Sequence, residues 1–161
     1  MPLSELLSAE RIAALPARAG RETMPAPADA QAVLDAAARL LARSDADAAA
    51  IAESLRQREA LCSTGIGHGV AIPHGRSREH AQARAAFLRL DAPIPFGAAD
   101  GEPVDLVFAM VVPEHFTQQH LEWLAQIAER FAQAPFRDAL RAAPDEAALR
   151  ALLMPRQAAA A

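Results

Sequence analysis

The 161-residue chain predicts an α/β protein, a three-layer α/β/α sandwich whose mixed central sheet is flanked by helices. Three observations carry this. Apolar residues recur at helical spacing in several stretches from Asp29 onward. Val104 to Val112 is apolar apart from Asp105, as a central strand covered on both faces requires. A second strand, Ala85 to Leu90, reaches it through a loop and not a helix, which predicts antiparallel pairing and hence a mixed sheet.

The elements follow in order. Pro2, Pro16, Pro25 and Pro27 break up the first 27 residues, leaving a short helix near Glu5 to Ile12 and then an irregular or strand segment. Val33, Leu34, Ala37, Leu40 and Leu41 form one helical face, with Asp29 as N-cap. A second helix opens at Ser44 or Asp45, buries Ala48, Ile51, Ala52 and Leu55, and runs to about Glu59, placing Arg58 at its C-terminal end. Ser63 to Gly69 holds three glycines in five positions and reads as a loop. Val70 to Ile72 is a brief strand closed by Pro73.

Asp91 to Pro103 is rich in Pro, Gly and Asp and reads as loop. Pro113 ends the central strand, Thr117 caps the next helix, and Leu121, Leu124, Ile127, Ala128 and Phe131 mark a buried stripe reaching about Ala134. Short helices near Phe136 to Arg141 and Asp145 to Leu153 complete a single domain with its core at about 29–153, and 155–161 is expected to fray.

Composition narrows the function. The formal charge of -4, with all 16 basic residues arginine and none clustered, argues against nucleic-acid binding. The single cysteine, Cys62, gives no intramolecular disulfide and fits a reducing cytoplasm. No basic leader precedes an apolar stretch and no run approaches the ~20 residues of a membrane span, so neither export nor membrane insertion is expected.

His74 stands between Pro73, which fixes the preceding backbone, and Gly75, which removes bulk after it. A neutral imidazole keeps one lone pair while the other ring nitrogen carries the proton, so a ring tied by its N–H to a carbonyl aims a nucleophile at phosphorus. Phosphoryl transfer asks of the protein mainly alignment and charge neutralisation. Backbone N–H groups of Gly65, Gly67 and Gly69 are candidates for an anion-binding nest. Ser63 and Thr64 open the same loop, and Arg58 offers a permanent charge to phosphate or to a partner's carboxylate. His120, third in its helix if Thr117 is the cap, points inward where a helix N-terminus favours an anion and a neutral ring.

Each of these residues alone is more often bland: His74 a solvated turn residue, His120 a half-buried helix residue, Arg58 a cation on a helix C-terminus. The glycine spacing matches neither the Rossmann nor the P-loop pattern. His68, His74 and His80 recur at six-residue intervals that fit no usual zinc site, so no metal and no cofactor are expected.

The run from Arg58 to Arg76, REALCSTGIGHGVAIPHGR, resembles the active-site segment of the enzyme IIA domains of the fructose/mannitol and nitrogen-regulatory type, from the bacterial phosphotransferase system. The resemblance continues through Pro93 to Phe96, Asp100 to Phe108, Val112-Pro113 and His120-Leu121, covering about 29–153. It implies that His74 carries a phosphoryl group received from a histidine-containing phosphocarrier protein, that His120 assists, and that Arg58 belongs to the same site. Cys62 stands where the family commonly has glycine, and His68 where it commonly has asparagine. A free-standing chain resembles the nitrogen-regulatory branch, whose members act on partner proteins according to phosphorylation state. The competing readings are a sugar-specific component passing the group to a permease domain and a binding scaffold that is never phosphorylated.

Overall fold

A computed structural model describes residues 3–16, 25–115 and 118–155. Helix α1 (Leu3–Leu6) and a 3-10 turn (Ala9–Arg11) lead into strand β1 (Ile12–Leu15), so the expected helix is shorter and Ile12 belongs to the sheet. Helix α2 (Ala30–Leu41) begins at Asp29, whose carboxylate accepts the Ala32 N–H. Helix α3 (Asp45–Leu61) begins at Ser44, whose hydroxyl accepts the Asp47 N–H. Both caps satisfy N–H groups that the first helical turn leaves without partners.

The expected glycine loop is instead a hairpin. Strand β2 (Gly65–Gly67) pairs antiparallel with β3 (Val70–Ala71) across His68-Gly69. Both turn residues have positive φ, 58° and 78°, the combination of a two-residue turn whose twist matches its strands. His74 does not sit in a loop either: it opens strand β4 (His74–Ser77), which runs parallel to the central strand.

Strand β5 (Arg84–Ile94) pairs antiparallel with β6 (Val104–Pro113), and β1 pairs parallel with β5. The sheet order is β1-β5-β6-β3-β2, with β4 also on β6, so the sheet is mixed and β6 is central. The expected loop at 91–103 is shortened because β5 passes a register shift after Arg89 and pairs again at Ile94 with Val104.

The period of two in β5 and β6 builds a core on each face. Ala86, Leu88, Val107, Ala109 and Val111 pack under α2 and α3. Phe87, Phe108 and Met110 pack under α1 and the three later helices, α4 (Gln118–Phe131), α5 (Ala134–Ala142) and α6 (Glu146–Leu153). These are the three layers.

Helix α4 stops before Ala134 because Arg137, buried in α5, donates Nη1 to the carbonyls of Phe131 and Ala132. Its inward stripe is also turned from the expected one. His120, Ile127 and Phe131 are buried, Leu124 and Ala128 half-buried, and Leu121 is 49% exposed. The expected cap Thr117 and, apart from Pro155, the expected frayed tail lie outside the described residues.

Candidate functional site

Pro73 and Gly75 hold His74 as the sequence suggests, for reasons now visible. The Pro73 carbonyl accepts the Met110 N–H, tying the start of β4 to the central strand. A side chain at Gly75 would put Cβ 2.7 Å from Ser54 Oγ and 3.3 Å from the Leu55 nitrogen, so only glycine lets β4 lie this close to α3. Ser54 Oγ also accepts the Arg76 N–H at 2.8 Å.

The His74 ring is half-buried, with Nδ1 3.1 Å from the Ile72 carbonyl oxygen. A carbonyl only accepts, so the hydrogen-bond network assigns the proton to Nδ1 and the lone pair to Nε2. Burial, above all, pushes the His74 pKa below the ordinary imidazole value. The bond to Ile72 opposes this, Arg58 lowers it further, Glu59 opposes and Arg76 lowers. The ring is therefore neutral and nucleophilic at neutral pH.

His74 lines a cavity of about 290 Å³ with Arg58, Ser63, Thr64, Ile66 and Ile72, closed on the far side by Leu124, Ala125 and Ala128 of α4. Arg58 donates Nη1 to the Cys62 carbonyl at 2.7 Å, closing the C-terminus of α3. The cap and the cavity contact use one guanidinium, which carries five donors.

His120 is the third residue of α4, one turn before Leu124 on the same face, or about 6 Å along the axis. It is 7% exposed, stands 5.3 Å from Trp123 between ring centroids, and is not among the cavity's lining residues. Burial lowers its pKa, so this ring too is neutral at neutral pH.

The other predicted contacts are already engaged. Ser63 Oγ donates to the Phe96 carbonyl and accepts the Gly65 N–H. Thr64 gives its N–H and its hydroxyl to Glu59. Gly67 and Gly69 do not line the His74 cavity. Gly69, held at positive φ, packs against Arg141 and Asp105 in a separate cavity of about 590 Å³ beyond the hairpin turn.

The model of the family described as "Phosphoenolpyruvate-dependent sugar phosphotransferase system, EIIA 2" matches residues 23–154, a span that takes in every element from α2 to α6 and the whole cavity. This chain belongs to that family. A nitrogen regulatory protein of Pseudomonas aeruginosa is 50% identical over 119 residues, 73% of this chain and 77% of that protein. A nitrogen regulatory protein of Bradyrhizobium diazoefficiens is 37% identical over 153 residues, 95% of each. The crystal structure of the nitrogen regulatory protein IIA-Ntr from Neisseria meningitidis superposes with a TM-score of 0.80 at 38% identity, covering 94% of this chain and 99% of that one.

Neither Cys62 nor His68 lines the His74 cavity. Cys62 has extended backbone (φ -170°), which any residue adopts, and its side chain is exposed. His68, at φ 58°, occupies the left-handed region, where histidine, like asparagine, is enriched among non-glycine residues, and its N–H is taken by Asp100.

His80 is not a surface histidine. Its Nε2 lies 2.8 Å from a buried carboxylate oxygen of Asp47, inside the layer formed by α3. Among the described residues, no group of three or more His, Cys, Asp or Glu side chains is placed to hold a metal, and no helix is long and apolar enough to cross a membrane.

Sequence reasoning missed Glu59 and the apolar wall from α4. Glu59 left a signal: an acidic side chain in the last turn of a helix opposes the dipole, and such a local inconsistency marks a site with another use.

Proposed function

We propose that this EIIA protein takes a phosphoryl group on Nε2 of His74 from a histidine-containing phosphocarrier protein, and that partner proteins respond to its phosphorylation state. The observation that carries this reading is the Nδ1 bond to Ile72, which leaves Nε2 as the nucleophile in an open cavity beside Arg58. In the transfer, the bond from phosphorus to the donor's imidazole nitrogen breaks, its electron pair returning to that ring, as the Nε2 lone pair of His74 bonds to phosphorus. Arg58, on the cavity wall, supplies positive charge to the phosphoryl oxygens, and neutral His120, one turn before the lining residue Leu124, is assigned a hydrogen bond to them. The names of the relatives favour the nitrogen-regulatory branch over sugar transport.

Incubation with phosphoenolpyruvate and the two upstream relay proteins is expected to add one phosphoryl group. Its bond is expected to be labile in acid and stable in alkali, as a phosphorus–nitrogen bond is. An unchanged intact mass beside a working control rejects the reading, and an acid-stable adduct moves the group to a hydroxyl.

A further inference from the structure

Glu59 has no part in the transfer just described, yet hydrogen bonds connect it to the nucleophile at every step. Its carboxylate accepts the Thr64 N–H at 2.8 Å on one oxygen and the Thr64 Oγ–H at 2.6 Å on the other. The Thr64 carbonyl accepts the Ile72 N–H at 3.0 Å. The Ile72 carbonyl accepts the His74 Nδ1–H at 3.1 Å. From this chain we infer that Glu59 is a positioning residue for His74, fixing the ring's tautomer and direction through Thr64 and Ile72. The inference rests on the relay reading for its consequence in transfer, though not for the tautomer itself.

The links pass through whole residues and not through one peptide unit, so what they transmit is position. Thr64 is only 5% exposed, and it has two donors to satisfy at once. A carboxylate meets both with its two oxygens, whereas a single hydroxyl or carbonyl acceptor would leave one donor poorly aligned. Thus clamped, Thr64 sets the place of Ile72, and the Ile72 carbonyl is the group that selects the Nδ1–H form of the ring. The same clamp makes Thr64 a wall of the cavity and not a donor to the phosphoryl group, since its hydroxyl proton is committed to Glu59.

The consequence for chemistry is twofold. When His74 accepts, the lone pair must be on Nε2, which requires the proton on Nδ1. When His74 gives the group up, the bond from phosphorus to Nε2 breaks, the electron pair stays on Nε2, and the ring leaves as a neutral imidazole because Nδ1 kept its proton. An unphosphorylated ring free to hold its proton on either nitrogen spends part of its time in the Nε2–H form, which cannot accept the group.

The test uses the full chain labelled with ¹⁵N, as wild type, Glu59→Ala, Thr64→Val and Thr64→Ser. Two readouts are taken: the imidazole nitrogen shifts of unphosphorylated His74, which report its tautomer, and the single-turnover rate and half-saturating concentration for transfer from the phosphorylated phosphocarrier. Wild type and Thr64→Ser are expected to hold His74 as the Nδ1–H form and to transfer at similar rates, because serine restores both donors. Glu59→Ala is expected to show mixed tautomers and transfer slowed on the order of 10²-fold at saturation, the scale of a misaligned reacting group, with little change in half-saturation. Thr64→Val, which loses one link of the two, is expected to fall between.

A single Nδ1–H tautomer with wild-type transfer in Glu59→Ala overturns the inference. Should that variant fail to fold, wild-type behaviour of both readouts in folded Thr64→Val overturns it equally. Failure of the relay reading looks different: wild type itself accepts no phosphoryl group, while the tautomer comparison still reports on Glu59.

Discussion

His74→Ala is expected to accept no phosphoryl group at all while keeping the fold. Among the described residues the half-buried ring makes one hydrogen bond, to Ile72, so truncation should cost about 1 kcal/mol of stability, the net worth of an ordinary bond of that kind. Transfer, by contrast, loses its nucleophile outright, and the loss is not graded. Intact mass after incubation with the donor system, read beside a denaturation curve, checks both halves. In the wild type, acceptance should persist to lower pH than an ordinary imidazole allows. Burial, reinforced by Arg58 and Arg76, lowers the His74 pKa against the opposing effects of the Ile72 bond and Glu59. Acceptance is therefore complete above the depressed value and falls as pH drops through it.

Asp47→Ala is expected to destabilise the fold by about 3 kcal/mol, the cost of removing one partner from a buried polar pair. Asp47 is 7% exposed, and one of its oxygens accepts both the Arg43 N–H at 2.9 Å and the His80 ring at 2.8 Å. Desolvation raises its pKa, but the Arg43 hydrogen bond and the His80 contact outweigh it and hold the carboxyl below its ordinary value. A depressed carboxylate contributes stability that is complete above the unfolded-state pKa, roughly 4, and is lost as pH falls through the folded value. The gap between wild type and variant in urea denaturation should thus be full at neutral pH and close in acid. Asp47 lies eleven residues before Arg58 in α3, about 16 Å along the axis, so the folded variant should still accept phosphoryl at the wild-type rate.

Where one periodicity governs a stretch, the sequence was legible. Helices α2 and α3 begin at the residues whose side chains cap them, and β6 is central because nothing polar but Asp105 interrupts it. Legibility failed where two requirements compete. Three glycines in five positions point to a loop, yet the two-residue turn at His68-Gly69 uses them to make a hairpin. Leu121 looks like core and is exposed, since α4 turns His120 inward in its place. Strand β5 runs on to Ile94 because pairing resumes with Val104, a contact between residues whose partnership no local pattern reveals.

The site divided the same way. His74 and Arg58 line one cavity as expected, because both lie close in sequence to the turn that joins α3 to the sheet. Gly65, Gly67 and Gly69, expected as a nest, do not line the His74 cavity, and Gly69 packs against Arg141 beyond the hairpin turn. Ser63 and Thr64 line the cavity, but their hydroxyl protons are spent on Phe96 and Glu59. Such commitments are set by three-dimensional neighbours 33 and 5 residues away, which spacing alone does not report.

The most direct test of the central claim is nitrogen-15 and phosphorus-31 NMR of the chain after phosphorylation by its donor system, kept at alkaline pH. The expected result is one phosphoryl group coupled to Nε2 of His74, with the proton retained on Nδ1. Phosphorus on any other atom, or none on the chain while the donor is fully charged, contradicts it.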